Sequence, residues 1–169
     1  MLKLICILVC LSLCYPSCFA LTQSQRDTIL SSHNLVRSEY NLPKLVWDTK
    51  IEKQAQDWAN TMMKNNSFSH STSVFRKGMW ENIYSISGQK IISDGSDPTM
   101  FWYGEQWNYN YGTNSCTAGA VCGHFTQIIW KETKRVGCGQ SSRKKGNITT
   151  IYWVCEYDPP GNYDGQKPY

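Results

Sequence analysis

Eight cysteines divide into two groups, and the division constrains this chain more than any other feature. Cys6, Cys10, Cys14 and Cys18 lie at the N-terminus. Cys116, Cys122, Cys138 and Cys155 lie in the C-terminal half, with none between Cys18 and Cys116. The first group sits in a processing signal. Lys3 supplies a short basic start, Leu4 to Leu13 is apolar apart from one serine, and small residues follow up to Ala20. Residues 1–20 therefore read as a secretory signal peptide cut after Ala20, too short to remain as a membrane-spanning helix. The expected product is a secreted, extracellular protein with four cysteines in an oxidising compartment, where bridges form. Sequence alone leaves three pairings open. Zinc held by four thiolates is the weaker reading, because no Cys-x-x-Cys pair is present.

One domain is expected over residues 21–169. A hydrophobic fraction of 41% is enough for a core. A net charge of +4 without a basic stripe excludes a nucleic-acid partner, and Arg143-Lys144-Lys145 reads as a solvated turn. Asn65-Asn66-Ser67 and Asn147-Ile148-Thr149 are candidate glycosylation sequons, at Asn65 and Asn147.

Helices are expected first and strands later. Ser24 to Tyr40 reads as a helix with Ser24 and Asp27 as a capping box and Ile29, His33, Val36 and Tyr40 on one face. Asp48 caps a second helix carrying Ile51, Ala55, Trp58 and Met62. Asp97-Pro98 opens a third that runs to about Asn108. Glu81 to Ser87 adds a strand, and His124 to Trp130 reads as another. Val136 to Ser142 and Ile148 to Tyr157 form a hairpin about Lys145-Gly146-Asn147. The order predicts an α+β fold with helices packed on an antiparallel sheet. From Pro159 onward the tail is irregular.

Three histidines are available. His33 occupies a core-facing helical position and reads as structural. His70 and His124 fall in loop-like positions, where functional groups concentrate. No Gly-x-Ser-x-Gly element is present, and Ser69 and Ser71 beside His70 do not make a triad. No catalytic residue is assigned.

Gly123-His124-Phe125-Thr126-Gln127-Ile128-Ile129-Trp130 resembles the first signature of the CAP superfamily, the cysteine-rich secretory, antigen 5 and pathogenesis-related class 1 proteins. The second signature is matched by Cys155-Glu156-Tyr157-Asp158-Pro159-Pro160-Gly161-Asn162-Tyr163, with Glu156 in place of a common Asn. His33-Asn34 with Arg37 is similar to the family's helix-one motif, and Trp80-Glu81-Asn82 to its Gly-Glu-Asn segment, with Trp for Gly. These motifs span the mature chain in order and are most similar to the plant pathogenesis-related branch.

The resemblance implies a three-layer α-β-α sandwich with a central antiparallel sheet. It also implies a cleft lined by His70, Glu81, Glu105 and His124. The two imidazoles could bind zinc or a similar divalent metal weakly, while the carboxylates orient them or hold a metal-bound water; the same tetrad could act as general acid and base. The implied disulfides are Cys116–Cys122 and Cys138–Cys155. A third bridge usual in plant members lacks both partners, and Arg143 stands near where one of them would be. Trp107, Tyr109 and Tyr111, in an aromatic stretch with Trp102 and Tyr103, are the candidate lipid contacts. The expected function is a monomeric, non-enzymatic, defence-type binder of sterol or another lipid, acting at a target membrane or receptor. A metal-assisted hydrolase or protease is the alternative. So is a precursor that is cut after Asp158 to release Pro159 to Tyr169 as a signalling peptide.

Overall fold

The computed structural model describes residues 21–91 and 97–169. The signal-peptide reading of residues 1–20 and the capping role of the Asp97 side chain lie outside what is described. Among the described residues, no helix is long and apolar enough to cross a membrane.

Helix α1 (Gln23–Glu39) is capped by Thr22, two residues before the expected cap Ser24. Thr22 accepts from the Gln25 backbone at 3.2 Å, and the Gln25 side chain accepts from the Thr22 backbone at 2.9 Å. Thr22 and Gln25 are thus the capping box, replacing the Ser24–Asp27 assignment; Asp27 instead accepts from Gln23 one turn back. The buried face is Ile29, His33, Val36 and Arg37, and Tyr40 lies beyond the last turn. Helix α2 (Thr49–Asn65) is capped as expected by Asp48, which accepts from Lys50 and Ile51. Helix α3 (Ser73–Arg76) is one turn, and α4 (Asp97–Tyr103) tightens into a 3-10 turn over Gly104–Asn108. The segment expected as a strand from His124 is instead helix α5 (Gly123–Ile128). Its β-prone composition is overridden by packing, because a helical turn puts Phe125, Ile128 and Ile129 together in the core.

The main sheet has the order β1 (Val46–Trp47), β5 (Arg135–Lys145), β6 (Ile148–Asp158), β2 (Trp80–Gly88). Its three long strands are antiparallel, and the two-residue β1 joins β5 in parallel. A separate ribbon pairs β3 (Tyr109–Asn110) with β4 (Ser115–Cys116). The β5–β6 turn passes through Gly146 at φ +60°, a conformation that suits glycine. Side-chain alternation gives the sheet two faces. Trp153, Cys155 and Tyr157 join the core under α1, α4 and α5. Ile83 and Val154 face the other way, packing with Ala55, Ala59 and Met62 of α2. The fold is therefore α+β, with helices on both sides of one sheet.

Two glycines set how closely α2 approaches. A Cβ on Gly137 would stand 2.2 Å from the Glu52 nitrogen, and one on Gly139 would stand 2.3 Å from the Gln56 Cα. Only bare backbone on β5 lets the helix lie this close. Gln56 then bonds the backbone of Gln140 on both sides, at 2.6 and 3.2 Å.

Both bridges form, Cys138–Cys155 between cross-strand partners and Cys116–Cys122 across the loop into α5. Where the third bridge is missing, Arg143 ties β5 to the end of α2. Its guanidinium donates to the Met63 carbonyl and, at 3.3 Å, to the Asn66 side chain. A cation at the last carbonyls of a helix is the favourable end for positive charge.

Candidate functional site

His124 is the second residue of α5, whose N-cap residue, Cys122, offers no side-chain acceptor. Glu105 supplies one from the 3-10 turn. Its Oε2 accepts from the backbone of His124 at 3.1 Å and of Phe125 at 3.2 Å, and its Oε1 accepts from His124 Nδ1 at 2.6 Å. One carboxylate therefore caps the helix and orients the imidazole. Trp102 stacks on the ring, with centroids 5.8 Å apart and planes 16° from parallel. The His124 side chain is 22% exposed.

His70 precedes α3 and is held from the first part of β2. Its Nδ1 donates to Glu81 Oε1 at 2.7 Å, and the same oxygen accepts from the Ser71 backbone at 2.9 Å. The His70 side chain is 50% exposed, whereas that of Glu81 is 0% exposed.

Consecutive residues of an edge strand each hold one of the two histidine segments. Glu81 points to the α2 face, alongside Ile83. Asn82 points to the other face, where its Nδ2 donates to the His124 carbonyl at 3.1 Å and the Tyr157 hydroxyl at 3.2 Å. Tyr157 in turn bonds His33 Nε2 at 2.9 Å, while His33 Nδ1 donates to the Ile29 carbonyl. Burial without a charged partner lowers the His33 pKa to about 4, and keeps the Tyr157 hydroxyl protonated by pushing its pKa far up. His33 is a packed core histidine, as its helical position indicated.

Both Nδ1 atoms are spent on glutamates, so each ring presents Nε2 outward. A carboxylate behind a histidine is how metal-bound imidazoles are oriented. The glutamates do not double as ligands: Glu105 is saturated by three N–H groups, and the second oxygen of Glu81 is buried. Among the described residues, no three His, Cys, Asp or Glu side chains gather closely enough to enclose a metal ion. The imidazoles are the groups that could hold an ion, and the donor set does not fit a closed four-group site.

The aromatic candidates separate. Trp107 is 85% exposed. Tyr109 packs against Phe125 and donates to Asn114 at 2.7 Å. Tyr111 stacks on Tyr169 at 4.6 Å under the Lys167 ammonium. Only Trp107 keeps its ring available. The C-terminal tail is irregular but fastened. Gly161 donates to Gln127 at 2.8 Å, Pro168 accepts from Lys131 at 2.7 Å, and Gln166 accepts from Asn114 at 3.0 Å. Asn65 and Asn147 are both exposed.

Residues that composition and spacing did not single out hold the site in place. Arg37 is fully buried, and donates to the carbonyls of Pro43, Ile128 and Trp130 at 2.7–2.8 Å, tying α1 to the end of α5. Burial lowers its pKa to about 10. Asn82 and Gln127 were visible only as members of longer motifs, since their partners lie far along the chain.

Comparison with known proteins agrees with this architecture. The model of the cysteine-rich secretory protein family, CAP, matches residues 30–157. The chain is 37% identical to pathogenesis-related protein PR-1 of Medicago truncatula, over 88% of this chain and 81% of that protein. It is 34% identical to pathogenesis-related protein 1 of Arabidopsis thaliana, over 86% and 83%. Among solved structures, Na-ASP-1 superposes with a TM-score of 0.73 at 28% identity. That alignment takes in 91% of this chain and 43% of the longer Na-ASP-1 chain. With these motifs, this sheet and these relatives, the chain belongs to the CAP family and is similar to its plant pathogenesis-related PR-1 members over most of its length.

Proposed function

We propose that this defence-type CAP protein is secreted and works by binding, with a sterol or another lipid as its ligand at a target membrane or receptor. The observation that carries the reading is Trp107, left 85% exposed, with Phe101 at 59% the next most exposed ring of the region. An indole buries a large apolar area when it finds a partner, and its N–H can meet a polar headgroup. Secretion is supported by the apolar leader-like start, the two disulfides and the exposed sequons. The signalling-peptide reading requires more than a cut after Asp158, since the tail must also leave Gln127, Lys131 and Asn114.

A second, weaker ligand is a zinc-like ion at His70 and His124, favoured by the two free Nε2 atoms. One set of proteins separates the two readings. Trp107→Ala is expected to weaken fluorescent-sterol binding by about tenfold, the scale of one lost aromatic anchor, and to leave zinc titration unchanged. A His70→Ala, His124→Ala double variant is expected to do the reverse. Sterol binding unaffected by Trp107→Ala rejects the lipid reading, and zinc binding that survives the double variant rejects the metal reading.

A further inference from the structure

The α2 face of the sheet carries buried polar atoms without partners. Glu81 and Glu156 are directly opposed in the β2–β6 ladder, so their side chains stand together on that face. Glu81 Oε2, both carboxyl oxygens of Glu156, the Ser71 hydroxyl and the Gln54 amide nitrogen are all buried and unbonded. Glu156 is 0% exposed and Glu81 is 1% exposed. Two adjacent carboxylates this deeply buried cannot both keep their charge.

The hydrogen-bond donors around them decide which one does. Glu81 Oε1 accepts from two N–H groups, His70 Nδ1 and Ser71 N, and both favour the anion. Neither oxygen of Glu156 has a well-formed hydrogen bond, and the Gln54 amide beside it is a nearby donor that only weakly favours its anion. The groups that face it are the Glu81 carboxylate from β2, the Gln54 amide from α2, and Arg76 and Lys77 at the end of α3. Burial first and Glu81 second push the Glu156 pKa up to about 8, with the amide and the two cations only partly offsetting them. The proton therefore resides on Glu156. A neutral carboxyl has one O–H to give, and Glu81 Oε2 is the neighbouring acceptor that lacks a donor.

We propose that Glu156 is a positioning residue for His70: as a neutral acid it donates to Glu81 Oε2 and so fixes the carboxylate that holds the imidazole. The role is independent of any ligand at His70 Nε2. It makes this half of the cleft a three-member chain, Glu156–Glu81–His70, with no counterpart behind Glu105, whose second oxygen is occupied by backbone N–H groups.

The test is NMR of ring-15N-labelled histidine in the intact chain, comparing wild type, Glu156→Gln and Glu156→Met. Gln keeps a donor at the position; Met keeps the volume without one. The hydrogen-bonded Nδ1–H signal of His70 should persist in wild type and Glu156→Gln, and be lost in Glu156→Met. The His124 signals should be unchanged in all three, which separates a local effect from misfolding. An unchanged His70 signal in Glu156→Met overturns the assignment and leaves Ser71 as the donor to Glu81; so does a signal lost in Glu156→Gln. Should Glu156→Met fail to fold, infrared difference spectra of wild type and Glu156→Gln at neutral pH still decide. A protonated-carboxyl band present only in wild type supports the role, and its absence overturns it.

Discussion

The two histidine–glutamate pairs share a sequence logic and differ in how completely they are satisfied. Glu105 meets three N–H groups, beneath a ring stacked on Trp102 and 22% exposed. Glu81 meets two on one oxygen, keeps the other buried and unbonded, and holds a ring that is 50% exposed. The Glu105 pair is built into a helix start and a core. The Glu81 pair hangs from an edge strand with a second acid behind it. The same two residue types therefore give one rigid half-site and one whose geometry depends on a proton.

The pH dependence of stability should break this symmetry most strongly, because the two sides respond with opposite sign. Behind the His124 pair, the His33 pKa is depressed from 6.5 to about 4. The unfolded chain then binds the proton more readily, so stability is full above 6.5 and lost as pH falls toward 4, by about 3 kcal/mol. Behind the His70 pair, the Glu156 pKa is raised from 4.5 to about 8. Its contribution is full below 4.5 and is lost as pH rises through 8, by a few kcal/mol at most. Urea denaturation across that range should show the acid-side slope vanish in His33→Gln and the alkaline-side slope vanish in Glu156→Gln. Slopes untouched by those substitutions contradict the placement of both groups.

Removing each glutamate in turn sharpens the contrast. Glu105→Ala strips acceptors from two backbone N–H groups and from His124, and should cost about 3 kcal/mol. Glu81→Ala strips the acceptor from one backbone N–H instead of two, releases a ring that is already half exposed to water, and leaves the neutral Glu156 acid to find another acceptor. Its cost should be about 1 kcal/mol. Equal losses in denaturant midpoint would mean the pairs are energetically alike. The smallest effect is expected away from the cleft, on the α2 side. Arg143→Ala should cost about 0.5 kcal/mol by removing the cation from the last carbonyls of α2, whose end Asn66 still closes, and Arg143→Lys should recover part of it. A neutral Arg143→Ala would show that the missing bridge has no substitute there.

Much of this was legible before any coordinates. The spacing of Ile29, His33 and Val36 marks one helix face, Asp48 marks a helix start, and Gly146 marks the hairpin, because helix period, capping and turn chemistry are local. The motifs around His124 and Glu81 identified the family, and the resemblance named the four residues that the structure joins as two His–Glu pairs. What was misread is equally instructive. The run from His124 looks like a strand by composition, and is a helix because Phe125, Ile128 and Ile129 must reach the core while Glu105 caps the turn. Tyr109 and Tyr111, expected as ligand contacts with Trp107, also pack against Phe125 and Tyr169, partners that lie far along the chain.

The sequence by itself determined the helices, the hairpin, the family and the residue types of the cleft, since each depends on short-range pattern or on motifs read whole. Only the tertiary structure decided how those residues differ. One edge strand holds both histidine segments because Glu81 and Asn82 alternate across it, α2 lies close because Gly137 and Gly139 carry no side chain, and Glu156 stands behind Glu81 through strand register. Each of these relations joins positions far apart in the chain, and burial, which sets their charge and exposure, exists only once the chain has closed around them.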